Sequence, residues 1–134
     1  MTPIPDITER FRVHAQGTEA ADNPKNLADY IWMLRHHSVS FGPEEIWPEL
    51  LQGFEDLNSV LKAEPEAGFA RPLVYAINGL LMLCLESAAS QQYEEEIRGQ
   101  IRKLGWRICV AWDAVLAGDI DSIGDHVELE ETVA

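Results

Sequence analysis

The chain has 134 residues, of which 23 are acidic and 10 are basic, and its formal net charge at pH 7 is −13. This charge excludes direct binding to nucleic acids, which depends on Lys and Arg replacing counterions at phosphates. It also argues against anionic membrane surfaces, which attract basic segments. The length and an apolar content of 46% suit a single core. We therefore expect one soluble acidic domain over residues 1–134, with residues 1–5 and 130–134 frayed.

Hydrophobic spacing predicts helices along most of the chain, and no segment alternates as a strand would. A first helix is predicted from about Asp6 to His14, followed by a polar loop over residues 17–23. Asp22-Asn23-Pro24 combines capping side chains with a proline near the first helical position, so it predicts the start of a second helix. That helix should end within residues 38–42.

A third helix is predicted from Pro43 to about Ala63. Its apolar residues fall on one side, and the carboxylates of Glu45, Glu49 and Asp56 fall on the other. Pro48 lies inside this pattern, where it removes a backbone donor and clashes with the preceding turn. Either the helix kinks at this proline or its first turn is a separate short piece.

The remaining pattern predicts two long helices and one short one. Arg71-Pro72 starts a fourth helix, over about 73–87, which is apolar nearly all round and is expected at the buried centre of a bundle. A fifth should run from about 93 to 117 and end at Gly118, and a sixth from about 121 to 129. The predicted fold is all-α, a compact bundle of five to six helices in a single domain.

The acidic excess is concentrated in two blocks. Residues 43–68 and residues 106–134 each carry seven acidic residues and one basic residue, whereas the rest of the chain is close to neutral. If the fold brings the blocks together, their field would speed association with a basic partner by roughly 10- to 1000-fold at low salt. A solvated acidic face that only keeps the protein soluble is the alternative. Glu45, Glu49 and Asp56 lack a basic neighbour within four positions, which favours a partner.

Tryptophan supplies candidate anchors for such a partner. Trp32, Trp47 and Trp106 lie away from the centre of the apolar stripe of their helices, and tryptophan is enriched among residues that carry most of the binding energy of interfaces. Packing against a second neighbouring helix is the alternative for each. The predicted partner-binding residues are Glu45, Glu49, Asp56, Trp106, Asp113, Asp119, Asp121 and Asp125.

The sequence contains no motif that indicates catalysis, a cofactor or a metal. It lacks His-Glu-x-x-His, Glu-x-x-His, Cys-x-x-Cys, a glycine-rich phosphate loop and a nucleophile elbow. The densest set of possible ligands, over residues 119–128, misses the calcium-loop pattern, and its side chains suit helix capping. Glu94, Glu95 and Glu96 fit the positive end of the fifth helix dipole. We therefore predict a protein that is not an enzyme.

The cysteines and the N-terminus favour a cytoplasmic location. No run of eighteen apolar residues is present, and the N-terminus lacks the basic and apolar regions of a signal peptide. Cys84 and Cys109 lie in apolar helical patterns and are expected to be two buried thiols. Asn78 is expected to be a buried polar residue. Gly99 and Gly105 would permit close approach of another helix, either within the bundle or across a dimer.

The leading hypothesis is a non-enzymatic binding module that neutralises a basic, nucleic-acid-acting protein. Immunity proteins, antitoxins, anti-CRISPR proteins and DNA mimics share this logic, an analogy from charge and size alone. One alternative is a helical ligand-binding or enzymatic domain with a pocket near Asn78, Cys84 and the histidines. Another is a structural homodimer joined through the fifth helix.

Overall fold

A computed structural model describes residues 2–17, 26–36, 43–65 and 68–118 of the chain. These residues form five helices, and they contain no strand, which confirms the prediction of a compact all-α bundle. The predicted sixth helix lies outside the described residues. In chain order the helices are α1 (Ile4–Gln16), α2 (Leu27–His36), α3 (Pro43–Ala63), α4 (Arg71–Ala89) and α5 (Glu95–Ala117).

Helix α1 is longer than predicted at both ends. It begins two residues before Asp6, because Pro3 and Pro5 suit the extended N-cap and the first helical turn. It ends at Gly17, whose φ of 82° is a conformation that L side chains rarely adopt. The side chain of Asp29 from α2 lies close to this glycine, so a Cβ at position 17 would also collide with it.

Helix α2 is preceded by Asn26, which was not predicted as its cap. The Oδ1 atom of Asn26 accepts a hydrogen bond from the backbone N–H of Asp29 at 2.9 Å, and its Nδ2 donates to the Asp29 carboxylate at 2.8 Å. Asn26 is therefore the side-chain cap of α2. The predicted start at Asp22-Asn23-Pro24 lies outside the described residues.

Helix α3 continues through Pro48 as one element, so its first turn is not a separate piece. Pro48 is close to the N-terminus of the helix, where the donor it removes is the one that would pair with the carbonyl of Glu44. The loss is therefore limited to one backbone hydrogen bond near the end of the helix.

The helices α4 and α5 form an antiparallel hairpin joined by residues 90–94. Gly105 of α5 lies against Cys84 of α4, and a Cβ at this glycine would be 3.2 Å from the Cys84 Cβ. Gly105 therefore permits close approach within the bundle, whereas the nearest atom to a Cβ at Gly99 would be Arg102 Nη2, at 3.8 Å. Gly118 ends α5 in the left-handed conformation, as predicted.

Helix α1 lies between α3 and α4 in the bundle. It packs against α3 on one side and against α4 on the other, and α5 in turn packs against both α3 and α4. The rings of Phe11 and Phe54 meet at 4.7 Å between centroids, and Arg10 pairs with Asp56, so α1 and α3 run antiparallel. The shared core includes Ile7, Phe11, Leu27, Tyr30, Leu50, Phe54, Leu57, Leu73, Ile77, Leu80, Ile101, Leu104 and Ile108.

Candidate functional site

Two of the three carboxylates predicted on α3 are exposed. Glu45 and Glu49 take part in no ion pair among the described residues. They are four residues apart and are therefore neighbours on the helix surface, where like charges repel each other. Their charge is open to solvent and to a partner.

Asp56 has a different environment from these two carboxylates. Its Oδ2 atom forms an ion pair with Arg10 of α1, and its Oδ1 accepts a hydrogen bond from Gln52 at 2.9 Å. The sequence shows no basic residue within four positions, but the fold supplies one from 46 residues away. Asp56 thus joins α1 to α3 and offers less unpaired charge than Glu45 and Glu49.

Glu44, which was not among the predicted residues, makes more ion pairs than the predicted carboxylates. Its Oε1 accepts a hydrogen bond from Lys103 Nζ at 3.1 Å and one from Arg107 Nη2 at 2.6 Å. The hydrogen bond from Arg107 is the main cause that holds the pKa of Glu44 below its ordinary value. Local spacing could not predict these contacts, because the two bases lie 59 and 63 residues further along the chain.

Trp106 and Asp113 lie on the outward face of α5. They are seven residues apart, which places them on the same side of the helix, and both are exposed. The Trp106 side chain is 42% exposed, whereas Val110, one turn further on, is buried. Because α3 and α5 pack side by side, the two predicted groups of residues lie on adjacent helices.

The other tryptophans differ in exposure. Trp32 is exposed, but Trp47 is only 8% exposed, and the guanidinium of Arg107 lies over its ring. The alternative of packing against a second helix therefore holds for Trp47. Trp112 is partly buried and meets the Phe69 ring edge-on, with 5.3 Å between the centroids.

Part of the predicted acidic surface lies outside the described residues. This applies to Asp119, Asp121 and Asp125, and in total to nine of the 23 acidic residues of the chain. The described part of the second acidic block contributes only Asp113. Of the predicted partner-binding carboxylates, the structure therefore describes those on α3 and Asp113 on α5.

Helix α4 is not the buried centre of the bundle, which corrects the sequence prediction. It buries one side, including Leu73, Ile77 and Leu80, and leaves an apolar side in solvent. Tyr75 is 75% exposed and Leu85 is 66% exposed. The reason is that α4 packs mainly against α1 and α5, and two neighbours cover only part of a helix. By length and hydropathy alone α4 could also cross a membrane, and a single helix of this kind is weak evidence of a span.

Asn78 and Cys84 of α4 line separate grooves. Asn78 is exposed, contrary to the prediction, and lines a groove of about 440 Å³ between α1 and α4, next to Arg12 and Met82. Cys84 lines another groove, of about 470 Å³, between α4 and α5. The ligand-binding alternative requires the two residues to line one pocket, and they do not.

The two cysteines share the α4–α5 groove but differ in exposure. Cys84 is buried, and this burial raises the pKa of its thiol to about 12. Cys109 is exposed, which corrects the prediction of two buried thiols, and neither sulfur forms a disulfide. Cys109 is seven residues before Leu116 and seven after Arg102, so all three lie on the same side of α5.

The histidine that the structure describes in full lines neither groove. His14 is buried between α1 and α2, where its Nδ1 accepts a hydrogen bond from the backbone N–H of Leu27 at 3.4 Å. Burial lowers the pKa of His14 to about 4, so the ring is neutral near pH 7. Within the described ranges, no group of three His, Cys, Asp or Glu side chains is placed to hold a metal ion.

Comparison with known proteins adds no relative to this description. No protein-family model matches the chain, and neither a curated protein nor a solved structure matches it significantly.

Proposed function

We propose that this chain is a non-enzymatic, cytoplasmic binding module that neutralises a basic, nucleic-acid-acting protein by covering its cationic surface. The observation that carries the proposal is the way in which the bases of the described helices are used. Six of them are engaged with carboxylates of the same chain: Arg10, Arg12, Arg98, Arg102, Lys103 and Arg107. Glu45 and Glu49 are left with their charge directed outward.

This arrangement favours a basic partner over a purely solubilising role. A solubilising face usually mixes signs, so that its charges cancel locally. Here Lys103 and Arg107 of α5 pair with Glu44, and Glu45 and Glu49 of α3 keep a one-signed field. Such a field steers a cationic partner and raises its association rate.

Trp106 is the proposed anchor of the complex. It is large, rigid and partly exposed, and it lies within the turn of α5 that Lys103 and Arg107 fix to α3. Rigid aromatic residues at the centre of an interface contribute more binding energy than charges at its rim. In this proposal the carboxylates guide the encounter, and Trp106 sets the lifetime of the complex.

The proposal is tested by using the full chain as bait in a lysate of its source cells at low salt. Two charge-matched double variants serve as comparison: Glu45→Gln with Glu49→Gln, and Glu94→Gln with Glu96→Gln, which removes two exposed carboxylates elsewhere. We expect wild type and the Glu94/Glu96 variant to retain a basic protein that salt releases. We expect the Glu45/Glu49 variant to retain at least about tenfold less of it.

Three results would overturn the proposal. In the first, both double variants retain the same protein equally well. In the second, the retained protein is not basic. In the third, affinity for the purified partner is unchanged by salt, while Trp106→Ala abolishes it.

A further inference from the structure

We infer that a second copy of this chain docks on the exposed face of α4, with the α4 helices of the two copies parallel and each lying in the α4–α5 groove of the other. This face is distinct from the acidic face of α3. The inference does not depend on the proposed basic partner.

The first observation is the spacing of the exposed residues of α4. Residues 72–85 contain no charged side chain, although part of this segment faces solvent. Only 28% of the most apolar 18-residue stretch of α4 is buried. One stripe of this helix repeats at steps of four and three residues, as in a helix that pairs with another helix. The stripe consists of Val74, Asn78, Leu81, Leu85 and Ala88.

Asn78 occupies the one polar position in this stripe. A single asparagine at such a position fixes the register of two parallel helices, because each amide can bond to its counterpart in the other copy. In hydrocarbon or against an unrelated apolar surface, the same amide would lose its hydrogen bonds to water without compensation. Asn78 therefore favours a second copy over a lipid surface.

The second observation is the shape of the groove beside the stripe. Small residues line it, including Ala88, Ala89 and Gly105, with Leu81 and Leu85 along the α4 side. Small side chains let another helix approach closely. The face is roughly 28 Å long and about 20 Å wide, as expected for two helices side by side. That footprint, about 560 Å², is close to the lower limit of the roughly 600–1,000 Å² per partner that stable interfaces bury.

The third observation is the charge at the two edges of the groove. The contact between Gly105 and Cys84 shows which residues of the two antiparallel helices lie at the same height. Arg102 and Glu86 lie on the same side of that contact, at nearly the same height, with Arg102 on α5 and Glu86 on α4. Arg102 forms an ion pair with Glu95 of its own chain, and a twofold axis parallel to the helices brings Glu86 of each copy towards the same guanidinium of the other. The face is thus complementary to itself.

The net charge of the chain also favours a second copy as the molecule that docks on this face of α4. Two copies that each carry −13 repel one another, so they can meet only where the surface is locally uncharged. The stripe on α4 is such a surface. A basic partner, in contrast, would find few carboxylates here and would gain more from α3.

Sedimentation equilibrium of the full chain over a wide concentration range tests the inference. We expect a reversible dimer of twice the 15.0 kDa chain mass. Its affinity should increase between about 0.05 M and about 0.5 M NaCl, because salt screens the repulsion between the copies. This is opposite to the salt dependence expected for the basic partner, so failure of one proposal is distinguishable from failure of the other.

Leu85→Glu should weaken the dimer at least about tenfold, because it places a charge in an apolar contact. Ser59→Glu adds the same charge on the exposed side of α3 and should leave the dimer unchanged. Glu86→Arg and Arg102→Glu should each weaken the dimer, and the double variant should recover part of the loss.

Cysteine cross-linking tests the parallel register. Asn78→Cys should form a disulfide-linked dimer under mild oxidation, because residue 78 faces its counterpart across the twofold axis. Tyr75→Cys is the control, since it is exposed on the same helix but lies off the stripe. A chain that stays monomeric at all concentrations would overturn the inference. So would a dimer insensitive to Leu85→Glu, cross-linking at 75 in place of 78, or capture of the monomer by lipid vesicles.

Discussion

The guanidinium of Arg107 lies 5.7 Å from the centroid of the Trp47 ring, and its Nη2 donates a hydrogen bond to Glu44 at 2.6 Å. The N-terminal turn of α3 is thereby fixed to the middle of α5 by one side chain that is only 8% exposed. A buried guanidinium keeps its charge and therefore requires such contacts. Trp47, which also packs in the hydrophobic core, is thus covered, whereas Trp106, next to Arg107 in sequence, remains exposed.

We predict that Arg107→Ala lowers the free energy of unfolding by about 2–3 kcal/mol, because it removes a charge-assisted hydrogen bond and a cation–π contact. Arg107→Lys should cost less, since it keeps the charge but loses the planar contact with Trp47. Urea denaturation measures both. Arg12→Ala, which breaks the exposed pair with Glu9, should cost far less, because solvent screens that pair. An equal loss in Arg12→Ala would contradict the assignment.

We predict that Asp56 and Glu49 respond differently to neutralisation, although both lie on the outward side of α3. Asp56→Asn should lower the free energy of unfolding by about 0.5–1 kcal/mol, because it breaks the partly exposed pair with Arg10. Glu49→Gln should have no such effect. In a double-mutant cycle, Arg10→Gln should add little to Asp56→Asn, and full additivity of the two losses would show that the pair contributes nothing.

Two helical glycines should respond with opposite sign to replacement by alanine. Gly99→Ala should raise the free energy of unfolding by about 0.5–1 kcal/mol, because a Cβ there meets nothing closer than 3.8 Å and alanine favours the helix. Gly53→Ala should lower it by about 1–2 kcal/mol, because its Cβ would lie 3.0 Å from the buried Phe11 ring. Thermal unfolding of the two variants decides this, and a stabilised Gly53→Ala protein would mean that the ring can move aside.

We predict that His14 makes the protein less stable as the pH falls from about 6.5 towards 4. The pKa of His14 is about 4 in the folded protein and 6.5 in an ordinary environment, so over this interval the unfolded chain binds a proton that the folded chain excludes. The contribution is fully present above pH 6.5, and on the order of 3 kcal/mol is lost on descending through the window.

The test of this prediction compares wild type with His14→Gln, whose side chain does not titrate. Denaturant midpoints between pH 7 and pH 5 separate the histidine from the carboxylates, which titrate lower. We expect a smaller pH slope in the variant. Identical slopes would mean that the His14 ring is protonated in the folded state.

The sequence predicted the helices well because their ends depend on local chemistry. Glycine at 118 ends α5 through its left-handed freedom, and the proline at 72 suits the beginning of α4, whereas α1 is two residues longer at each end than predicted. Hydrophobic spacing also identified the buried residues of α3 and α5, because an amphipathic helix has only one side that can face a core.

The predicted site depended on information that spacing does not contain. The pairing of Asp56 with Arg10 and of Glu44 with Arg107 joins residues far apart in the chain, so counting bases within four positions could not detect it. The burial of α4 was predicted wrongly for the same reason. An apolar surface all round predicts burial, but the number of neighbouring helices decides how much of that surface is covered.

The sequence by itself determined an acidic all-α chain, the places where its helices break, and the side of each amphipathic helix that turns inward. These properties follow from backbone sterics, hydrogen-bond caps and the 3.6-residue period, which act over a few residues. Only the tertiary structure decided which of the described carboxylates form ion pairs and which apolar side of α4 stays in solvent. Both depend on which helix lies beside which, and therefore on contacts between residues that are distant in sequence.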